Sequence, residues 1–284
     1  MKLNTLLTIA ETQAYVKEMK KSGKTVALVP TMGALHAGHL QLMQAAKAKC
    51  DVVIASIFVN PMQFGPNEDY AAYPRDFAAD CEKLASAQVD AVFHPAPAEM
   101  YPAGYATYVT VEDDSTGKLC GAKRPGHFRG VATVVTKLLN ITQADRAFFG
   151  QKDAQQVVVI KRFVRDLNLP VVVEMVPIMR AENGLALSSR NAYLSAAEKE
   201  AALVLSQSLQ KAEKAYKSGQ LQAEDLRAIV RQHIQNEKLA ELDYVELYSF
   251  PDLREMTVVN ETAILAIAVK IGAVRLIDNT ILEA

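Results

Sequence analysis

Val26-Ala27-Leu28-Val29-Pro30-Thr31-Met32-Gly33-Ala34-Leu35-His36-Ala37-Gly38-His39 reads as a strand, a turn and the start of a helix. The run from Val26 to Pro30 is short and apolar throughout, the pattern of a strand buried on both faces in a parallel sheet. Gly33 lets the backbone bend and approach a ligand. From Gly38 to Lys49 the apolar residues Leu40, Met43, Ala46 and Ala48 recur at helical spacing. A turn between a buried strand and a helix lies where open α/β sheets bind ligands, at the carboxyl ends of the strands. His36 and His39, three apart, share a face at the helix start. The unpaired N–H groups and dipole there attract phosphate, to which imidazoles can also donate. Nucleotide binding is one reading; two histidines that cap or pack the helix are the other. Zinc fits poorly, because no third His or Cys stands nearby in sequence.

Outward from this segment the same alternation continues. Apolar runs at 51–60, 89–93, 146–149 and 171–177 predict further strands, and 8–21, 76–87, 131–142 and 154–167 predict helices. This pattern argues for an α/β protein with a Rossmann-like, doubly wound parallel sheet. Near residue 178 the texture changes. Residues 195–217 and 222–236 read as helices, the first opened by a Ser195/Glu198 capping box. Alternating runs at 242–248, 262–269 and 273–279 predict a small antiparallel sheet. Two domains are expected: 1–177, binding nucleotide and acid, and 178–284, a smaller C-terminal α+β domain.

The chain has 284 residues, half of them hydrophobic and 22% charged, with a formal net charge of -1. That is globular composition with no general affinity for nucleic acid. Cys50, Cys81 and Cys120 form no C-x-x-C pair and fit free thiols in a reducing compartment. The start at Met1-Lys2-Leu3 has no signal-peptide pattern. No apolar run approaches the roughly 20 residues that span a bilayer. A cytoplasmic protein without a membrane partner is expected.

Four more segments carry chemistry. Asn60 and Gln63, in Phe58-Val59-Asn60-Pro61-Met62-Gln63-Phe64, offer amides at a strand end. They either read the hydroxyl and carboxylate of a small hydroxy acid or bond loop backbone. Lys123 to Gly130, with Arg124, His127 and Arg129, reads as an anion-binding loop before a helix. In Gly150-Gln151-Lys152-Asp153, Lys152 suits charge on a transferring phosphate. Asp153 either orients a ribose or a magnesium ion, or caps the helix. Ser188, Ser189 and Arg190 either close over phosphates or supply a serine cap. His94 and His233 have no chemical neighbours in sequence and read as structural.

Taken together, P-T-M-G-x-L-H-x-G-H, S-I-F-V-N-P-M-Q-F, R-P-G-H-F-R-G-V, F-G-x-K-D and S-S-R-N, in this order, resemble the pantothenate synthetase (pantoate–β-alanine ligase) family of the H-x-G-H nucleotidylyltransferase superfamily. The resemblance covers nearly the whole chain. It implies ATP-dependent joining of pantoate to β-alanine through a pantoyl adenylate, in a cytoplasmic homodimer. It implies an ATP site of Pro30, Thr31, Met32, Gly33, His36, Gly38, His39, Gly150, Lys152, Asp153, Met179, Leu187, Ser188, Ser189 and Arg190. His39 would be a general acid, with His36 and Lys152 also catalytic. Asn60, Gln63, Gln156, Arg124 and His127 would serve pantoate and β-alanine, the last two from a mobile wall. Mg²⁺ would ride on the ATP phosphates. The chain departs from the family's usual Glu at Gln151 and Met at Leu187. A nucleotidylyltransferase acting on another metabolite and a non-catalytic nucleotide-binding regulator remain the competing expectations.

Overall fold

A computed structural model describes residues 3–66 and 68–283. The first two residues of the N-terminal reading lie outside that range. The chain forms two compact units, one of residues 1–150 and 155–177, the other of residues 151–154 and 178–284.

In the first unit, strands β1 (Asn4–Leu6), β2 (Val26–Thr31), β3 (Val52–Ile57), β4 (Ala91–Phe93), β5 (Arg146–Gly150) and β6 (Val172–Val176) make one parallel sheet, in the order β1-β4-β3-β2-β5-β6. The helices between them are α1 (Ile9–Lys21), α2 (Ala37–Lys47), α3 (Phe77–Ser86), α4 (Pro97–Met100), α5 (Leu119–Lys123), α6 (His127–Thr142) and α7 (Ala154–Asp166). This is the Rossmann-like sheet read from the sequence. Leu42, Met43 and Ala46 of α2 and Leu84 of α3 pack on Ala27, Val29, Val53 and Ala55 of the sheet. The buried face of α6, with Val131, Val135 and Leu138, joins α1 on the sheet's other side.

The chain order reverses beside β2. From β2 it runs to β3 and β4 on one side, then returns to β5 on the other. A crevice forms at such a reversal. Here β2 and β5 are paired at Ala27–Arg146 and Leu28–Ala147. Beyond them stands Pro30, which has no N–H to donate, and the strand ends splay.

Three features depart from the sequence reading or are absent from it. The short strand β1 is not visible in the sequence pattern; it adds an edge by pairing with β4. Helix α6 starts at His127, not at 131, because Gly126 adopts φ 80° and turns the chain into the helix directly. The expected loop from Lys123 to Gly130 is therefore mostly helical, with Arg124 to Gly126 as its link. The helix expected over 195–217 is two, α8 (Ala196–Ala201) and α9 (Leu203–Lys217), joined at Ala202. The Ser195/Glu198 capping box is present. Helix α10 (Ala223–Gln235) and the antiparallel strands β7 (Ala240–Ser249), β8 (Ala263–Ile271) and β9 (Val274–Leu282) complete the second unit. Its core includes Leu205, Leu209, Leu226, Val230, Leu265 and Ile267.

Candidate active site

The turn after β2 is held from below. The Thr31 hydroxyl donates to the Ser56 carbonyl (2.7 Å) and accepts the Gly33 N–H (3.2 Å). Gly33 (φ 84°) and Ala34 (φ 50°) are both left-handed. A Cβ on Gly33 would meet an Asp80 oxygen at 2.9 Å, so a side chain is barred there. Asp80 of α3 is buried and accepts the N–H groups of Ala34 (2.9 Å) and Leu35 (2.8 Å). Lys83, on the same helix, donates to the Leu35 carbonyl (2.8 Å). Sequence reading missed both residues, since nothing local distinguishes them from a polar helix face.

Asp80 thus fixes a backbone that is unfavourable for Ala34. Asp80→Asn would set an amide N–H₂ against one backbone N–H and leave a buried donor unpaired, costing about 2 kcal/mol. The expected result is a Tm lower by roughly 4–8 °C. Melting curves check this; an unchanged Tm would mean the carboxylate does not hold this turn.

His36 and His39 fold into each other. His36 is the N-cap of α2, and its Nδ1 accepts the Gly38 N–H (3.2 Å). The Nδ1 of His39, at N3, accepts the His36 N–H (3.3 Å). The rings lie 4.1 Å apart. This is a reciprocal capping box made of two imidazoles. An acceptor Nδ1 places the neutral ring's proton on Nε2. The capping reading therefore describes both rings, each through its Nδ1.

At the end of β3, Asn60 caps the short 3-10 turn Pro61–Gln63. It is buried and bonded on both sides of its amide, to Met62 and Tyr101 through Oδ1 and to Gln63 and Gly130 through Nδ2. Of the two readings for Asn60, the backbone-bonding one describes it. Gly130 allows this packing, since a Cβ there would sit 2.3 Å from the Met62 carbonyl oxygen. Nε2 of Gln63 lies 3.3 Å from Sδ of Met32, so the two loops meet.

Arg124 and His127 converge on Gln63 from the other side. The Gln63 carbonyl accepts from His127 Nδ1 (2.9 Å) and Arg124 Nη2 (3.3 Å), and Arg124 Nη1 donates to His127 Nε2 (3.1 Å). Arg124 also grips Glu68 with two donors (2.6 and 2.7 Å). Burial pushes the Glu68 carboxyl up, but the bond and charge of Arg124 outweigh it and hold it below the usual range. Arg129 instead lies over the Tyr108 ring, 3.8 Å from its centroid. Gln156 is half-buried on α7, beside buried Gln155, which bonds the 115–120 segment.

In the second unit, Gln151 to Asp153 form a 3-10 turn tied to β9. Asn279 donates to the carbonyls of Gln151 (3.0 Å) and Lys152 (3.1 Å) and accepts from the Gln151 amide (3.2 Å). The Lys152 ammonium is 3.9 Å from the Asp153 carboxylate. Ser188 caps the 3-10 turn Ser189–Tyr193 by accepting the Arg190 N–H (3.3 Å). The Leu187 N–H donates to the Met179 carbonyl (3.0 Å), and Arg180 forks onto buried Asp278 (2.6 and 2.9 Å). His94 stacks on Phe77 (4.1 Å) and donates to the Ile57 carbonyl, which is a structural role. His233 bonds Lys211 (2.9 Å).

Sheet order, crevice and histidine cap define a Rossmann-like α/β protein with an H-x-G-H helix start. A family model described as pantoate-beta-alanine ligase matches residues 4–281. The pantothenate synthetase of Pelotomaculum thermopropionicum is 57% identical over 275 residues, 97% of each chain. A crystal structure of pantothenate synthetase from Thermus thermophilus has a TM-score of 0.95 at 41% identity, covering 99% of this chain and 100% of that one. Pantoate-beta-alanine ligase from Francisella tularensis, complexed with beta-gamma ATP and beta-alanine, has a TM-score of 0.82 at 35% identity, covering 99% and 98%. The chain belongs to the pantoate–β-alanine ligase family, whose enzymes form an amide bond. The two competing readings gain no support from these relatives.

Proposed function

We infer that this chain condenses pantoate with β-alanine, using ATP, to give pantothenate, AMP and pyrophosphate. The family match across residues 4–281 carries this reading. The Francisella relative's complex with beta-gamma ATP and beta-alanine supports the choice of substrates. In the first step a pantoate carboxylate oxygen attacks the α-phosphorus in line and the bond to pyrophosphate breaks. In the second, the β-alanine amine attacks the acyl carbon of pantoyl adenylate and AMP leaves. The protein contributes position and charge rather than a covalent bond. Pro30, Thr31, Met32, Gly33, Gly38, Gly150, Asp153, Met179 and Leu187 are proposed to bind ATP. The Nε2–H groups of His36 and His39, Lys152, and Ser188 to Arg190 would take up phosphate charge, His39 acting as general acid. Gln63 and Gln156 would hold pantoate, with Asn60, Arg124 and His127 keeping Gln63 in place.

Among the described residues no group of three or more His, Cys, Asp or Glu gathers to hold a metal. Magnesium is accordingly proposed as part of the MgATP substrate, whose phosphates supply ligands. No described helix is long and apolar enough to cross a membrane. A cytoplasmic homodimer, with 1–177 binding nucleotide and pantoate and 178–284 as lid, belongs to the same proposal.

The test is a panel of small hydroxy acids with MgATP, with and without β-alanine. Pyrophosphate release should require pantoate, and sustained AMP release should require β-alanine as well. Release of ADP, or AMP formation indifferent to β-alanine, would overturn the reading.

A further inference from the structure

Asn60 is 1% exposed, and its carboxamide has two donors and two acceptor sites. All four are used. Oδ1 accepts from the Tyr101 hydroxyl (2.7 Å) and the Met62 N–H (3.3 Å). Nδ2 donates to the Gly130 carbonyl (3.1 Å) and to Gln63 Oε1 (3.0 Å). Turning the amide over would set donor against donor at Met62 and acceptor against acceptor at Gly130. Met62 and Gly130 thus determine the orientation, and the shortest bond fixing the amide in place is the one from Tyr101.

The consequence falls on Gln63. Its oxygen accepts from Asn60 and one Nε2–H donates to Sδ of Met32 (3.3 Å), so what the side chain presents is the second Nε2–H donor. Such a group binds carboxylate or hydroxyl oxygens and turns away an ammonium. We propose that Tyr101 is a positioning residue for the acid substrate, acting through Asn60 to hold Gln63 with its second Nε2–H toward the bound acid. This rests on the reading of Gln63 as a pantoate contact.

Tyr101 is placed for the task. Its ring packs against Phe58 (6.0 Å) and edge-on to Tyr105 (5.1 Å). The Lys137 ammonium lies 5.9 Å from the Tyr101 ring centroid and 4.9 Å from that of Tyr105. Burial raises the phenol well above its ordinary range, so it stays protonated and donating. These ring contacts survive in Tyr101→Phe. That variant removes the hydroxyl and leaves Oδ1 with the longer Met62 bond.

The experiment is a double-mutant cycle of Tyr101→Phe and Gln63→Ala, read as the KM for pantoate in the pyrophosphate-release assay. In wild-type background, Tyr101→Phe should raise that KM roughly fivefold to tenfold, about one lost hydrogen bond, with the ATP KM unchanged. In Gln63→Ala background the same change should move it less than about twofold. An unchanged pantoate KM in Tyr101→Phe, or equal losses in both backgrounds, would overturn the proposal. The wild-type enzyme separates the two levels: without pantoate-dependent pyrophosphate release it is the underlying function that fails.

Discussion

Replacing Lys152 by alanine is expected to cut pyrophosphate release by about two to three orders of magnitude while leaving the fold intact. The rate term follows from the charge that builds on the phosphates as the bond to pyrophosphate breaks; one pre-placed donor at such a site is worth about 10²–10³ in rate. The stability term follows from how the turn is held. Asn279 grips the backbone carbonyls of Gln151 and Lys152, not the lysine side chain. The ammonium's ion-pair contact is a 3.9 Å approach to half-exposed Asp153, a pair of small value. Stability should therefore stay within about 0.5 kcal/mol of wild type. Steady-state turnover and a melting curve on the same preparation check both. Near-normal turnover would remove Lys152 from the proposed chemistry.

His39 carries the second large effect, and two substitutions separate its two roles. Glutamine at N3 can still reach back to the N-cap N–H, as in an ordinary capping box. Alanine cannot, and loses about 1 kcal/mol. Neither supplies the imidazole Nε2–H. Turnover should fall by about 10²–10³ in both variants, whereas the Tm should fall by about 2–4 °C in His39→Ala alone. Near wild-type turnover in His39→Gln would mean that the ring is not the general acid.

The sheet was legible because its strands are continuous apolar runs and its helices carry one apolar face. β1 was not: three residues at a sheet edge are too few for a period, and Asn4–Leu6 forms because β4 offers a partner. The start of α6 was misplaced for a different reason. A left-handed glycine usually ends a helix, whereas Gly126 stands at the start of α6, and only the backbone shows that. Local motifs marked the histidines, Gln63, Lys152 and the serines as candidates. They did not show what holds them. Asp80 lies 46 positions from Ala34, Tyr101 lies 41 from Asn60, and Asn279 lies 128 from Gln151. Each is a single polar residue whose meaning appears once the chain has folded. Asn60 shows the converse. Its motif left it either a ligand contact or a partner of loop backbone, and folding spends every hydrogen bond its amide can make on protein neighbours.

Pantoate is activated on the α-phosphorus, as an adenylate. Pantoate labelled with ¹⁸O in both carboxylate oxygens tests it directly. Attack by the carboxylate and later cleavage by the β-alanine amine leave one pantoate oxygen on AMP. Mass spectrometry should therefore find AMP carrying one ¹⁸O and pyrophosphate carrying none. Label in inorganic phosphate, with ADP in place of AMP, would mean activation at the γ-phosphorus and no adenylate.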